Sequence, residues 1–229
     1  MLLGKGIWPE APEEEVLVSG GGDGRIILWH IDPAQGGGIS TICTLEDGRE
    51  EGESILSLAR EGTFLYSGRF DGEVNVWDLE TRQLVRSLKA STGDVHTLTL
   101  GAGVLYAGGK SGRVQVAKLS CLVSTDADNL QKFNEHYETI TSFKAHDGLI
   151  LASAFTTFND KPTLVTGGND NTIVIWEVKD CAEPNAVTKR SNNGWYTCAD
   201  GIRSANLASR SDGGVAQPIR LLPDGIIAA

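Results

Sequence analysis

The chain has 229 residues, of which 40% are hydrophobic and 22% are charged, and 28 of them are glycines. This composition is typical of a soluble globular protein with many turns. The formal net charge of −10 argues against nucleic acid as a partner, because no basic stripe is present to neutralise phosphates.

The cysteines and the apolar runs predict a cytoplasmic protein without a membrane span. Four scattered cysteines show no metal-ligand spacing, so they are interpreted as reduced thiols, with no cofactor and no metal predicted. No run of about 18 apolar residues could cross a membrane. The opening MLLGKGI is too short for a signal peptide.

One short pattern recurs four times along the chain. A tight turn, mostly Asp-Gly, lies between two short apolar stretches and is usually closed by a tryptophan, which indicates a series of hairpins. The four copies are SGGGDGRIILW (19–29), SGRFDGEVNVW (67–77), AGGKSGRVQVA (107–117) and TGGNDNTIVIW (166–176). Their last residues are 48, 40 and 59 positions apart, which matches propeller blades of about 40–45 residues with insertions.

Strand patterns around each copy predict an all-β fold, an incomplete β-propeller of about four blades in residues 1–182. In chain order the blades are expected near 1–45, 53–89, 94–144 and 147–180. The first unit lacks a proper innermost strand, so the chain is expected to start inside a blade. Residues 120–137 are interpreted as an insertion loop with a short helix, and 183–229 as a disordered tail. Seven blades need roughly 280 residues, so the chain is expected not to close a ring alone.

These repeats resemble the WD-repeat β-propeller family. Blades of that family often carry a buried polar tetrad, which the resemblance implies here: a histidine before the inner strand, a strand Ser or Thr, the turn Asp and the closing Trp. The fourth unit has all four, and the first two units lack the histidine; the third holds Ala107, Ser111 and Ala117 instead. The implied tetrad residues are Ser19, Asp23, Trp29, Ser67, Asp71, Trp77, His146, Thr166, Asp170 and Trp176. Asp71 and Trp77 are therefore expected to be the ends of one brace across the second blade.

A closer resemblance is to the WD-repeat portion of fungal peptidase subunits that act in glutathione degradation. It rests on EEEVLVSGGGDGRIILW, on the segment from DGREEGES to LVRSLKA, and on VTGGNDNTIVIWEV. In those subunits a zinc-dependent dipeptidase-like domain follows the propeller, and an amidotransferase-like subunit is the partner. The match ends near residue 182, so no peptidase residue is carried over.

Three other patterns suggest chemistry, but the repeat explains each of them better. His30 and Asp32 mimic a metal-binding pair, but His30 follows the closing Trp29 at a strand end. The stretch HYE at 136–138 lies in the insertion loop without a partner. GVLYAGGKS (103–111) has five residues between its glycines, where a phosphate-binding loop needs four, and a strand follows it.

An acidic segment connects the first and second units on the face that carries the Asp-Gly turns. It is interpreted either as a solvated loop or as a contact for a protein partner. Its residues are Glu46, Asp47, Arg49, Glu50, Glu51 and Glu53.

The leading prediction is a non-catalytic protein-interaction scaffold, the propeller part of a glutathione-degrading peptidase complex. The chain is expected to hydrolyse nothing, because no clustered His, Asp and Glu set lies outside the tetrads. Two alternatives stay open: a Cys-Gly metallodipeptidase by family, and an unrelated signalling WD-repeat adaptor.

Overall fold

The computed structural model describes residues 1–5, 14–32, 38–48, 53–90, 93–119, 139–178, 202–207, 220–221 and 227–228. These residues form four antiparallel sheets of four strands each and one two-stranded ribbon. The fold is therefore all-β, as the sequence predicts.

Each four-stranded sheet is a meander in which consecutive strands pair. The first sheet contains β1 (Leu2–Gly4), β2 (Val16–Gly20), β3 (Ile26–Asp32) and β4 (Gly38–Leu45). The second contains β5 (Ile55–Glu61), β6 (Phe64–Arg69), β7 (Glu73–Asp78) and β8 (Gln83–Lys89). The third contains β9 (Val95–Gly101), β10 (Val104–Gly109), β11 (Arg113–Lys118) and β12 (Thr139–Lys144).

The fourth sheet contains β13 (Ile150–Phe158), β14 (Lys161–Gly168), β15 (Ile173–Val178) and β16 (Ile202–Leu207). A two-stranded ribbon of β17 (Arg220–Leu221) and β18 (Ile227–Ala228) follows. Strand β16 lies inside the predicted tail, where sequence analysis assigned no strand, and pairs along the whole of β15. Most of residues 183–229 lie outside the described residues, so the disorder of this stretch stays a prediction.

The first sheet corrects one expectation. The sequence predicts no proper innermost strand for the first unit, but Leu2, Leu3 and Gly4 pair antiparallel with β2. The predicted insertion loop and its short helix at 120–137 lie outside the described residues.

The central hairpin turn of each sheet uses a left-handed backbone at the same repeat position. Gly24, Gly72, Gly112 and Asn171 have φ between 61° and 80°. Glycine adopts this conformation without strain, and asparagine is the side chain that tolerates it best. At Gly72 a side chain is also excluded by space, since a Cβ would lie 2.8 Å from the carbonyl oxygen of Gly93.

The chain divides into two compact units, Met1–Leu98 and Thr99–Ala229. In the first unit, one face of the first sheet packs on the tryptophan-bearing face of the second. This core contains Val16, Val18, Ile26, Leu28, Leu45, Leu65, Trp77 and Leu79. Full burial of such side chains contributes roughly 1.5–3 kcal/mol each.

In the second unit the third and fourth sheets build an equivalent core. Its buried side chains include Val104, Tyr106, Val114, Val116, Ile150, Leu164 and Val178. Phe143 packs against Trp176 with ring centroids 4.6 Å apart, and Tyr106 stacks on Phe155 at 5.9 Å. Trp77 and Trp176 are therefore core residues as well as hydrogen-bond donors.

Candidate functional site

The fourth sheet holds a continuous hydrogen-bonded chain from the core to the turn. Trp176 Nε1 donates to Thr166 Oγ1 at 3.0 Å, and Thr166 Oγ1 lies 2.8 Å from His146 Nε2. His146 Nδ1 lies 3.0 Å from Asp170 Oδ1. One donor assignment satisfies every atom: Thr166 donates to Nε2, and the Nδ1 proton goes to the carboxylate. The structure thus brings together all four residues proposed for this unit.

The groups around Asp170 stabilise the negative charge of its carboxylate. Burial alone would raise the pKa of Asp170. The hydrogen bonds from Thr172 and from the Asp147 backbone N–H, together with the neighbouring His146, outweigh burial and hold this pKa below its usual value of 3.8. Gly168 leaves room for the pair, since a Cβ there would lie 2.5 Å from His146 Nδ1.

This chain of groups has the order of a hydrolase triad, with hydroxyl, imidazole and carboxylate in line. Its hydroxyl cannot meet a substrate, however, because Thr166 is 0% exposed and already accepts the indole proton of Trp176. The arrangement is therefore a brace between strands. Because it is buried, it stabilises the fold only while every member stays paired.

In the first and second sheets, the closing tryptophan donates a hydrogen bond to a strand serine, as Trp176 does to Thr166, but there is no histidine to extend the network. Trp29 Nε1 donates to Ser19 Oγ at 2.8 Å, and Trp77 Nε1 donates to Ser67 Oγ at 2.9 Å. The turn carboxylates of these sheets accept a backbone proton two residues later. Asp23 accepts from the Arg25 N–H and Asp71 from the Glu73 N–H.

In the second sheet an arginine takes the place of a glycine. Arg69 aligns with Gly21, Gly109 and Gly168 in the other repeats. Its side chain is 1% exposed and forms an ion pair with Asp47, and its Nε lies 3.5 Å from Asp71 Oδ2. The predicted brace from Asp71 to Trp77 did not include Arg69, which is the buried cation beside Asp71. The signal was present in the sequence, since one repeat alone has a charged residue at this position.

The third sheet lacks the network, in agreement with its residues. Ala107 and Ala117 are buried at the positions of the strand hydroxyl and the closing tryptophan. Ser111, at the turn, accepts a hydrogen bond from the Arg113 N–H at 3.3 Å.

The acidic connection between the first and second sheets is only partly available to a partner. Asp47 points inward to Arg69. Glu46 is half-exposed and lies 2.9 Å from Arg25 Nε, and Glu53 is exposed. Arg49, Glu50 and Glu51 lie outside the described residues.

The residues next to this connection fix its far end. Ser54 accepts the Phe70 N–H at 3.0 Å through its carbonyl oxygen, and its hydroxyl donates to the Gly22 carbonyl at 3.1 Å. The connection is therefore attached at Asp47 and at Ser54, in both cases to the Arg69–Phe70 pair of the second-sheet turn.

The remaining chemical patterns do not come together as sites. His30 Nδ1 lies 2.7 Å from Glu14 Oε1, and the side chain of Asp32 lies outside the described residues, as does 136–138. GVLYAGGKS forms β10 and its turn. Among the described residues there is no group of three or more His, Cys, Asp or Glu able to hold a metal ion.

Burial raises the pKa of the Cys43 thiol, which Arg82 opposes only in part, so this thiol is protonated at neutral pH. In the part of the chain that the structure describes, no helix is long and apolar enough to span a bilayer.

Comparison with known families identifies the repeat. The model of the WD domain, G-beta repeat, matches residues 40–78 and 130–177. The first matched segment begins in β4, the last strand of the first sheet, and ends with β7, the third strand of the second sheet. The second segment includes β12 of the third sheet and ends in β15 of the fourth, so a sequence repeat spans parts of two sheets. These two segments of the chain thus match WD40 repeats, and the four-stranded sheets are blades of the propeller type.

Among curated relatives, the chain resembles the probable di- and tripeptidase DUG2 of Saccharomyces cerevisiae. The two are 25% identical over 196 residues, which is 84% of this chain and 20% of that protein. The APC/C activator protein CDC20 of the same yeast is 26% identical over 160 residues, 69% of this chain and 22% of that protein. The chain thus spans about a fifth of the length of these relatives.

A solved structure supports the fold. A chain in the crystal structure of the mitotic checkpoint complex aligns with a TM-score of 0.52 at 20% identity, covering 77% of this chain and 45% of that one. At this identity the likeness concerns the fold alone.

Proposed function

We propose that this chain is a protein-interaction scaffold, the WD-repeat part of a peptidase assembly that degrades glutathione. The observation that carries the proposal is the alignment with DUG2 over 84% of this chain. That alignment runs through the blades described above, and the partner proposed for them is an amidotransferase-like subunit in the cytoplasm.

The polar chemistry of the blades supports a scaffold more than a catalyst. The Thr166 hydroxyl of the Thr166–His146–Asp170 chain is buried and already accepts a hydrogen bond from Trp176, so it is not accessible to a substrate. The Arg69–Asp47 pair is likewise buried. Both networks make the turns rigid, and rigid turns are suitable contact surfaces because binding then costs little ordering entropy.

The experiment that tests this proposal measures activity and association with the same purified chain. The chain alone, with added zinc, is assayed for hydrolysis of Cys-Gly and is then mixed with the purified amidotransferase-like subunit for size-exclusion chromatography. A scaffold gives no turnover and a co-eluting complex. Zinc-dependent turnover by the chain alone would favour the metallodipeptidase alternative.

A second candidate is an adaptor of the cell-cycle type. It is favoured by the 26% identity to CDC20 over 69% of this chain. The same chromatography separates the two candidates when an anaphase-promoting complex preparation replaces the amidotransferase-like subunit. Co-elution with that complex alone would favour the adaptor.

A further inference from the structure

The turn between β6 and β7 exposes an aromatic side chain. Phe70 is 51% exposed, although phenylalanine is usually buried. The same repeat position holds Gly22, Lys110 and Asn169 in the other blades. Among the four described turns of this type, the second blade alone presents a large apolar group.

The backbone that carries Phe70 is held on both sides. Its own N–H donates to the Ser54 carbonyl at 3.0 Å, and the Gly72 N–H donates to the Arg69 carbonyl at 3.2 Å. Arg69, the preceding residue, is fixed by its buried ion pair with Asp47. The exposed ring is therefore presented by a preorganised turn.

The described residues around this turn carry an excess of negative charge. They form two groups that adjoin at the neighbouring residues Glu46 and Asp47. In one group Arg25 contacts Asp23 and Glu46. In the other, Arg69 contacts Asp47 and Asp71, and Lys89 donates to the Asp71 carbonyl. With Glu53 and Glu73 included, six carboxylates outnumber three cations: Asp23, Glu46, Asp47, Glu53, Asp71 and Glu73 against Arg25, Arg69 and Lys89. Glu46 and Glu53 are exposed and belong to the connection that is attached to this turn, and Asp23 is exposed in the turn of the first blade.

We infer that Phe70, Glu46 and Glu53 form a docking surface for an arginine-containing segment of a protein partner; this rests on the proposed scaffold function. A guanidinium stacks on the face of an aromatic ring and retains its hydrogen-bonding edge for carboxylates. An exposed phenylalanine beside unburied glutamates offers both contacts. A neutral apolar segment would use the ring and leave the negative charge uncompensated.

The test uses fluorescence anisotropy with a labelled arginine–glycine hexapeptide and the full chain. Its companion probe replaces each arginine by citrulline, which keeps the shape and removes the charge. Phe70→Ala is expected to weaken binding of the arginine peptide roughly two- to five-fold, the range of an exposed cation–π contact. Glu46→Gln combined with Glu53→Gln is expected to weaken binding and reduce its dependence on salt.

Phe158→Ala is the matched control, because Phe158 is 52% exposed and Phe70 is 51% exposed. Phe158 belongs to the fourth sheet, whereas the carboxylates belong to the first two sheets and their connection. It is expected to bind the arginine peptide as the wild-type chain does. Equal affinity of the wild-type chain and Phe70→Ala, equal binding of the citrulline peptide, or no binding by the wild-type chain would overturn the docking surface. Co-elution of Phe70→Ala with the amidotransferase-like subunit would then leave the scaffold function standing.

Discussion

Arg69 and Asp47 form a buried ion pair that joins the turn of the second blade to the connection entering that blade. In the fourth blade the corresponding position is Gly168, and the space is used by His146. The two blades thus place a different group beside the turn carboxylate, a guanidinium beside Asp71 and an imidazole beside Asp170.

Removal of Asp47 is expected to be costly. Asp47→Ala leaves the buried Arg69 guanidinium beside Asp71, whose Oδ2 lies 3.5 Å from Arg69 Nε, and breaking a buried pair costs roughly 3–5 kcal/mol. Glu46→Gln is the matched control, since the Glu46–Arg25 pair is solvent-exposed and contributes about 1 kcal/mol or less. Urea unfolding followed by tryptophan fluorescence measures both. Equal losses would show that Arg69 does not depend on Asp47.

Removal of Asp170 is expected to open the network of the fourth blade. Asp170→Ala leaves the Nδ1 proton of buried His146 without its carboxylate, which costs roughly 1–3 kcal/mol. Asp23→Ala changes the same repeat position, but there the carboxylate lies in an exposed turn, so the loss is expected within about 0.5 kcal/mol. Thermal unfolding compares the two variants. A larger loss for Asp23→Ala would contradict the assigned network.

Gly168 is expected to tolerate no side chain. Gly168→Ala would place a Cβ 2.5 Å from His146 Nδ1 and 2.7 Å from Asp170 Oδ1, and such overpacking costs roughly 1–3 kcal/mol. At Gly22 the nearest atom to a Cβ is Ser54 Oγ at 3.8 Å, so Gly22→Ala is expected to be neutral. Denaturant midpoints distinguish the two, and a neutral Gly168→Ala would mean that the turn can move away from His146.

The stability of the fourth blade is expected to fall in acid. The pKa of Asp170 is lower in the folded chain than its usual 3.8, so the carboxylate stabilises the fold above that value. This contribution is lost as the pH falls from 3.8 through the lower folded pKa. The difference in unfolding free energy between wild type and Asp170→Ala should therefore shrink as the pH falls below about 4. If this difference in unfolding free energy grew as the pH fell, the pKa of Asp170 would be raised in the folded chain and not lowered.

The second face of the first sheet is expected to make the isolated chain self-associate. Leu17, Ile27 and Trp29 are half-exposed there, whereas Leu65 and Trp77 are buried at the matching positions of the second sheet. Leu3 and Ile39 on the same face are 61% and 60% exposed. Apolar patches of this kind promote association. Leu3→Lys with Ile39→Lys should reduce dye binding and association in sedimentation, and unchanged behaviour would locate the contact elsewhere.

Local turn chemistry made most of the blade pattern predictable. Gly24, Gly72 and Gly112 fix the hairpins because a left-handed residue is required at that point, and the flanking runs alternate with strand periodicity. The pairing of Trp176 with Thr166 is what the resemblance to WD-repeat proteins implies, and the structure contains it.

The elements and contacts that depend on a partner elsewhere in the chain could not be predicted from the local sequence pattern. Strand β1 has three residues, too few for a periodic signal, and it exists because β2 offers a partner edge. Strand β16 contains the sequence IRSANL, which alternates poorly and gains its order from β15. The inward turn of Asp47 could not be derived from local pattern, because its partner Arg69 is 22 residues away and arginine is rarely buried.

Sedimentation velocity of the purified chain mixed with the purified amidotransferase-like subunit tests the scaffold proposal most directly. A scaffold is expected to give a faster-sedimenting complex that contains both proteins, and Phe158→Ala in the fourth sheet is expected to leave its formation unchanged. Independent sedimentation of the two proteins, together with zinc-dependent Cys-Gly turnover by the chain alone, would contradict it.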